Sequence, residues 1–381
     1  MEKVSLVKCN SYDQEEVYKA IKKSIELIGG LNIKPNSKVL IKPNLLRPKH
    51  PKYAVTTHPE VIRAIIKILK EINCKIIVGD SPGFHDPTTT AKVSGILDVC
   101  KQEGIEFVDF KEGKNYSYQE AMLMKRFMLA DIIDKVDYVI NAPKLKTHVM
   151  MGVTLSIKNT FGFIRGLDKS KMHFRLKDKE KFATMLVDLN NFIKPTVNIM
   201  DGIVGMEGEG PGNGDPIKAG IISASKNSLA MDIVMCKLMG FDPLSIWTNK
   251  VALQQKEKDF MKNIEVVGEA LKNVKIKFKS NKQKPLSFVL PKGMAKIVGN
   301  LLTDKPKINY DKCRACQECI KICPAKTISL KQYGKKQAAF INRENCIRCF
   351  CCHEICPYDA IDIKKSPLGE ALEKFRKLLT S

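Results

Sequence analysis

The chain has 381 residues, 44% of them hydrophobic, which exceeds one average domain and supplies enough apolar material for an ordinary core. Lys and Arg total 64 against 41 Asp and Glu, a formal charge of +23 that favours acidic or anionic partners, and no nucleic-acid recognition motif accompanies these dispersed basic residues. No run reaches the roughly 18 apolar residues that span a bilayer, and the opening MEKVSLVKC has no hydrophobic stretch before a cleavage site, so a cytoplasmic protein is expected.

In chain order, β-branched runs at Ser5–Lys8, Lys38–Lys42, Lys75–Gly79, Glu106–Asp109 and Asp137–Asn141 read as strands. Between them Glu15–Ile28, Pro59–Glu71, Gly95–Gln102 and Tyr118–Asp131 carry one apolar face and read as helices. This alternation predicts an α/β fold with a mainly parallel open sheet flanked by helices. The pattern is irregular beyond Asn141, then gives a helix over Glu180–Phe192 and a strand over Thr196–Met200. A Gly-rich loop follows, with six glycines between Asp201 and Gly214. Lys218–Ser223 reads as another strand and Ser228–Met239 as its helix, capped by Asn227 or Ser228. The α/β domain is placed at 1–279 and a linker or strap at 280–307, containing the apolar run Leu286–Leu290. A small cysteine-rich α+β domain is expected at 308–365 and a helix or tail at 366–381.

Thirteen cysteines are present, nine of them between Cys313 and Cys356, a clustering that favours metal over disulfides. Cys313, Cys316, Cys319 and Cys323-Pro324 are repeated 33 residues later as Cys346, Cys349, Cys352 and Cys356-Pro357. Soft thiolates at this spacing suit an iron–sulfur cube, and a Cys₄ zinc site is the competing reading. Cys351 has no assigned role, whereas Cys9, Cys74, Cys100 and Cys236 stand in apolar contexts as small core residues.

The repeat resembles bacterial two-[4Fe-4S] ferredoxins. That resemblance implies one cluster on Cys313, Cys316, Cys319 and Cys356, and a second on Cys346, Cys349, Cys352 and Cys323. Each oxidised cluster with its thiolates carries about −2, which leaves the protein basic.

Several polar motifs stand at predicted strand exits, where open α/β sheets hold ligands. They are Lys42-Pro43-Asn44, Gly79-Asp80-Ser81-Pro82-Gly83, and Asn141-Ala142-Pro143-Lys144-Leu145-Lys146-Thr147-His148, followed by Ser156-Ile157-Lys158-Asn159. Lys144, Lys146 and Lys158 can neutralise a carboxylate or phosphate, and His148 can exchange a proton; the plainer roles are solvated lysines and a capping histidine. Asn44 offers directional hydrogen bonds, while Asp80 can orient a lysine, bind a cation or hydroxyl, or simply shape a turn. The Gly-rich segment can present N–H groups to an anion, or serve as a lid bringing the carboxylate of Glu207 to a reaction. It has neither the P-loop ending nor the dinucleotide-binding spacing, and no flavin or nicotinamide motif is evident. Trp247 is expected to pack.

In their order along nearly the whole chain, these motifs resemble the family called domain of unknown function 362, in members carrying a ferredoxin-like tail. The resemblance implies an iron–sulfur protein with an α/β domain and groups Lys42, Asn44, Asp80, Lys144, Lys146, His148, Lys158 and Asn159 as a site. The expected activity is that of a reductase enzyme. An external low-potential donor such as ferredoxin charges the clusters, and electrons pass to an anionic small molecule in the α/β cleft. Lys42, Asn44, Lys144, Lys146 and Asn159 would hold that molecule, with Lys158, His148, Glu207 and Asp80 assisting the chemistry. The alternative is an electron-transfer or assembly module that serves a partner enzyme without its own turnover.

Overall fold

A computed structural model describes residues 1–83, 85–166, 168–279, 304–364 and 366. The chain divides into two compact units, Met1–Met172 with Asp178–Ser280, and His173–Lys177 with Asn281–Ser381.

The larger unit is built on strands β1 (Glu2–Lys8), β2 (Lys38–Pro43), β3 (Lys75–Asp80), β4 (Glu106–Asp109), β5 (Gly113–Ser117), β6 (Arg126–Ala130), β7 (Tyr138–Ala142), β8 (Lys144–His148), β9 (Gly152–Thr154), β10 (Val197–Glu207), β11 (Asp215–Ser225) and β12 (Ile264–Gly268). Its main helices are α1 (Gln14–Leu27), α2 (Pro59–Glu71), α3 (Pro87–Val93), α4 (Ile96–Glu103), α5 (Ser156–Asn159), α6 (Asp168–Arg175, which crosses the boundary between the units), α7 (Lys179–Ile193), α8 (Ser228–Leu238) and α9 (Trp247–Leu253).

Local chemistry sets many of these boundaries. Asp13 starts α1 by accepting the N–H groups of Glu15 and Glu16, and His58 followed by Pro59 starts α2. The run Val39-Leu40-Ile41 in β2 is buried along its length, as a central strand covered on both faces requires. Adjacent residues of β10 point to opposite faces: Ile199 joins the core formed with Ile21, Val61 and Ile65, while Met200 joins the core of Met231, Val234 and Leu238.

The strand order is β12-β1-β11-β10-β7-β2-β3-β4, with β8 and β9 branching from β10. Strands β10, β7, β2, β3 and β4 run parallel to their neighbours in that series. However, β11 is antiparallel to both β10 and β1, so the sheet is mixed, although most of its pairings are parallel. The chain leaves β2 toward β3 and β4 on one side and returns as β7 on the other. This reversal creates a switch point at the carboxyl ends of β2 and β7.

Three local expectations are corrected. Tyr118–Asp131 is not a helix: β5 and β6 pair as an antiparallel hairpin. The carboxylate of Asp188 accepts three consecutive N–H groups, from Met122, Leu123 and Met124 at 2.8, 2.9 and 2.9 Å, and so fixes an extended turn there. Residues 144–154, irregular in sequence, form β8 and β9. The first half of the Gly-rich stretch is strand, because β10 continues to Glu207. A Cβ on Gly202 or Gly205 would stand 2.8 Å from the Ile221 carbonyl or 2.9 Å from that of Leu145, so these glycines admit neighbouring backbone.

In the smaller unit, β13 (Lys305–Ile308) pairs antiparallel with β16 (Ile361–Lys364), and β14 (Ile328–Tyr333) with β15 (Lys336–Ile341). Short helices span Glu318–Ile322 and Cys351–Ile355. The first strand opens at Lys305, inside the segment expected as a strap; the remainder of that segment, and the tail expected after Ser366, lie outside the described residues. No helix among the described residues is long and apolar enough to cross a membrane.

Candidate functional site

The sequence repeat in the smaller unit is also a backbone repeat. Ala315, Gln317 and Lys326 have φ of 51°, 66° and 51°, and their counterparts Arg348, Phe350 and Asp359 have 56°, 59° and 49°. Left-handed geometry at non-glycine residues costs about 1 kcal/mol or more each. Its recurrence at corresponding positions marks loops bent for a purpose.

These loops gather the cysteines. A pocket is lined by Cys313, Cys316, Cys319 and Cys356, together with apolar residues such as Ile308 and Ala339. Burial first, then the neighbouring thiols of Cys356, Cys316 and Cys313, push the Cys319 thiol up to about 12. In the other set, burial and then Cys349, Cys346, Cys319 and Cys323 push Cys352 well above its ordinary value. Cys346 likewise stands in the fields of Cys349 and Cys323. Backbone N–H groups already point at three sulfurs: Thr327 to Cys323 at 3.3 Å, Ala360 to Cys356 at 3.2 Å and Ala339 to Cys313 at 3.5 Å. Cys351 is fully buried and shares a side-chain hydrogen bond with Cys349, which holds the Cys349 thiol below its usual range. Four soft sulfurs around a cavity, with amide donors directed at them, fit an iron–sulfur cluster.

In the larger unit, the strand-exit residues form a buried polar network. Lys42 at the end of β2 stands 2.7 Å from Asp80 at the end of β3, and both side chains are within 2% of complete burial. Asp80 also accepts the N–H groups of Leu45 and Ser81 at 2.8 and 2.9 Å. Burial lowers the pKa of Lys42, whereas Asp80 opposes that shift. Asn44 donates to Asn159 at 2.7 Å and accepts from Lys146 at 2.6 Å. Asn159 donates to Asn141 at 2.7 Å, and Asn141 to Asn198 at 2.8 Å, so a line of amides crosses the switch point from β2 through β7 to β10.

Lys144 and Lys146 share one face of β8 while Leu145 enters the opposite core, as two-residue alternation requires. Lys144 pairs with Asp201 at 2.7 Å and donates to the Tyr12 hydroxyl at 2.8 Å. Tyr12 in turn donates to Asp201 at 2.9 Å and stacks on His58, with ring centroids 3.5 Å apart. Burial pushes His58 down to about 4. Lys42 and Asp80 thus form one buried pair, Lys144 and Asp201 another, and Lys146, Asn44 and Asn159 a buried hydrogen-bonded group; all are interior groups rather than walls of an open cleft.

The remaining expected residues have other settings. His148 is buried, and its Nδ1 accepts the N–H groups of Met150 and Met151 at 3.1 and 3.3 Å, holding the turn before β9. Lys158 is partly exposed and lies 5.7 Å from the centre of the Phe161 ring. Glu207 accepts the Lys279 N–H at 2.7 Å and pairs with its ammonium group at 3.0 Å. Tyr12, His58, Asn198 and the buried Lys169 escaped the sequence reading. Tyr12 resembles an ordinary residue ahead of a helix, and Lys169 lies in a charged stretch without a distinct pattern; only the fold joins them to the network.

The fold and paired cysteine sets define an α/β protein with a ferredoxin-type iron–sulfur domain. The chain belongs to the family described as Domain of unknown function (DUF362), whose model matches residues 39–237, and a 4Fe-4S dicluster domain matches residues 305–357. The thylakoid-associated protein sll1697 of Synechocystis sp. is 35% identical over 252 residues, covering 64% of this chain and 77% of that protein. The lactate racemase apoprotein of Thermoanaerobacterium thermosaccharolyticum aligns at 12% identity and a TM-score of 0.41, over 63% of this chain and 56% of that chain.

Proposed function

We propose that the protein is an iron–sulfur electron-transfer protein whose smaller unit carries two [4Fe-4S] clusters. The observation that supports this reading most directly is the cavity lined by Cys313, Cys316, Cys319 and Cys356, because it draws its cysteines from both repeats. Those four residues would hold one cluster, and Cys346, Cys349, Cys352 and Cys323 the other. When bound, such clusters supply one-electron redox chemistry at low potential. The chain's contribution is to fix the thiolates on left-handed loops and to direct the amides of Thr327, Ala339 and Ala360 at sulfur, which stabilises added negative charge. The proposed partner is an external low-potential donor such as a ferredoxin.

Anaerobic purification followed by iron and sulfide analysis tests this reading. About eight iron and eight sulfide per chain, with a reduced-cluster electron paramagnetic resonance signal, are expected. Stoichiometric zinc in place of iron overturns it.

A second reading, in which the larger unit reduces an anionic small molecule, is supported by the location of the lysine and asparagine network at the sheet's switch point. Lys144 and Lys146 would hold the anion, Lys158 and Asn159 would stabilise developing charge, and His148 or Glu207 would supply a proton. Since Lys42 and Lys144 already face Asp80 and Asp201, an entering anion must exchange places with a carboxylate or rearrange that pairing. Protein with reduced clusters, offered a panel of anionic metabolites, should be reoxidised in step with product formation. Electron exchange with redox proteins alone would leave only the carrier function.

A further inference from the structure

The two cysteine loops share their backbone but not their surroundings. Ala315 and Gln317 flank Cys316 in left-handed geometry, as Arg348 and Phe350 flank Cys349. Gln317 is exposed, whereas its counterpart Phe350 is buried. Likewise Arg314 is exposed where the second repeat has the half-buried Ile347. Cys316 is in consequence the one exposed cysteine of the thirteen, although Cys313, Cys319 and Cys356 line the same pocket and are buried. Arg314 and Tyr358 line that pocket too, and Tyr358 is 49% exposed, so they form its rim toward solvent.

Beside that corner stand the exposed cations Lys312 and Arg314 from the loop, and Lys335 and Lys336 from the β14–β15 hairpin, which carries no acidic residue between Ser329 and Ile341. The hairpin is tied to the loop: Tyr333 stacks on Tyr310 with ring centroids 4.0 Å apart, and Lys336 donates to the Asp311 carbonyl at 3.5 Å. The carboxylates of these loops are Asp311, Asp359 and Glu318, the last already paired with Lys321 at 2.8 Å. A cluster with its four thiolates adds about −2, which the surrounding cations offset while leaving a positive rim. Electron tunnelling weakens steeply with distance, which favours entry where a ligand sulfur reaches the surface.

We propose that Cys316 is the port for electrons, and that Lys312, Arg314, Tyr358 and the turn of the β14–β15 hairpin form the docking surface for a small acidic electron-carrier protein. This inference rests on the iron–sulfur reading above and names where the partner binds. One electron leaves the reduced carrier, which is thereby oxidised, and reduces the cluster held by Cys313, Cys316, Cys319 and Cys356; no proton moves and no bond breaks. The charge of +23 on the whole chain draws the same kind of partner from a distance.

The test uses full-length, cluster-loaded protein and an acidic plant-type [2Fe–2S] ferredoxin as the probe. Calorimetric titration should show binding at an ionic strength of about 0.02 M that weakens about tenfold by about 0.2 M. Arg314→Glu and Lys335→Glu should each weaken low-salt binding, and slow electron exchange, about tenfold. Iron content and the resonance signal of the reduced clusters should stay unchanged in both, which separates lost docking from lost folding. Arg343→Glu makes the same change in charge beyond the far end of β15, roughly 17 Å along the strand from Lys336, and should alter binding about threefold at most. Carbodiimide cross-links from the ferredoxin carboxylates should fall on Lys312 and Lys335. Equal weakening by all three substitutions would overturn the docking surface and leave the carrier function standing. No low-salt binding by loaded protein, or tighter binding of a basic cytochrome c, would overturn the acidic partner. Protein purified anaerobically without iron would remove this inference together with the iron–sulfur reading.

Discussion

Gly162 lies so close to Asp80 that a Cβ in its place would overlap the Asp80 carboxylate, and the Lys42 ammonium with it. Gly162 is therefore required by a buried ion pair rather than by a turn. Gly162→Ala should cost about 3 kcal/mol or more, since the added methyl must displace charges held away from water. Gly83→Ala, where nothing lies within 4 Å, should leave stability nearly unchanged. Urea denaturation of the two variants checks the contrast, and equal midpoints would remove the packing argument.

Exchange of cysteines between the repeats gives a crossed signature. Cys356→Ser should damage the cluster assigned to Cys313, Cys316 and Cys319, whereas Cys323→Ser should damage the one assigned to Cys346, Cys349 and Cys352. Electron paramagnetic resonance of the two reduced variants should show different signals lost. If each substitution affected the cysteines of its own repeat, the proposed pairing would be wrong.

Asp232 on α8 accepts the N–H groups of Ser156 and Ile157 at 2.7 and 3.1 Å, thereby holding the start of α5. Burial raises its pKa from 3.8 to about 7, against the lowering effect of those hydrogen bonds. The folded state then binds more protons than the unfolded chain between these values. Its contribution to stability is greatest below about pH 4, declines toward pH 7 and changes little above that, over a range on the order of a few kcal/mol. Asp232→Asn should remove this component, so the difference between the two pH-stability curves obtained by chemical denaturation should reproduce it.

Tyr12→Phe should loosen the second buried pair. The hydroxyl accepts from Lys144 and from the Val204 N–H at 2.8 and 3.1 Å, and donates to Asp201. Its removal leaves the Val204 amide without this acceptor and should cost about 1–3 kcal/mol. Hydrogen exchange at the Val204 amide should accelerate in the variant, and unchanged protection would show that the tyrosine hydroxyl does not secure that strand.

Strands β2 to β4 and helix α2 were legible because their apolar periods and terminal residues agree with their final environments. The 113–130 hairpin was not, since the group that fixes it, Asp188, arrives from α7 and no local pattern announces that capture. Likewise, glycines at 202 and 205 suggest a loop until the Ile221 and Leu145 backbones are placed against them. Of the residues in the strand-exit motifs, Lys42 meets Asp80, and Asn44 meets Lys146 and Asn159, but sequence could not reveal that Lys42 and Lys144 would already face carboxylates from β3 and β10. Lys169, in a charged stretch of sequence, needed three-dimensional proximity to be seen beside the exit of β3. In the cysteine repeat, by contrast, spacing along the chain carried most of the site.

The interleaved cysteines also order events during biosynthesis. With the proposed pairing, the set containing Cys323 is complete once Cys352 has been made, while the set that begins at Cys313 waits for Cys356. The earlier thiols must therefore remain reduced on a nascent chain while their last companion is added. Oxidation of those thiols before that point would block assembly, so all eight cysteines must stay reduced until the clusters are inserted.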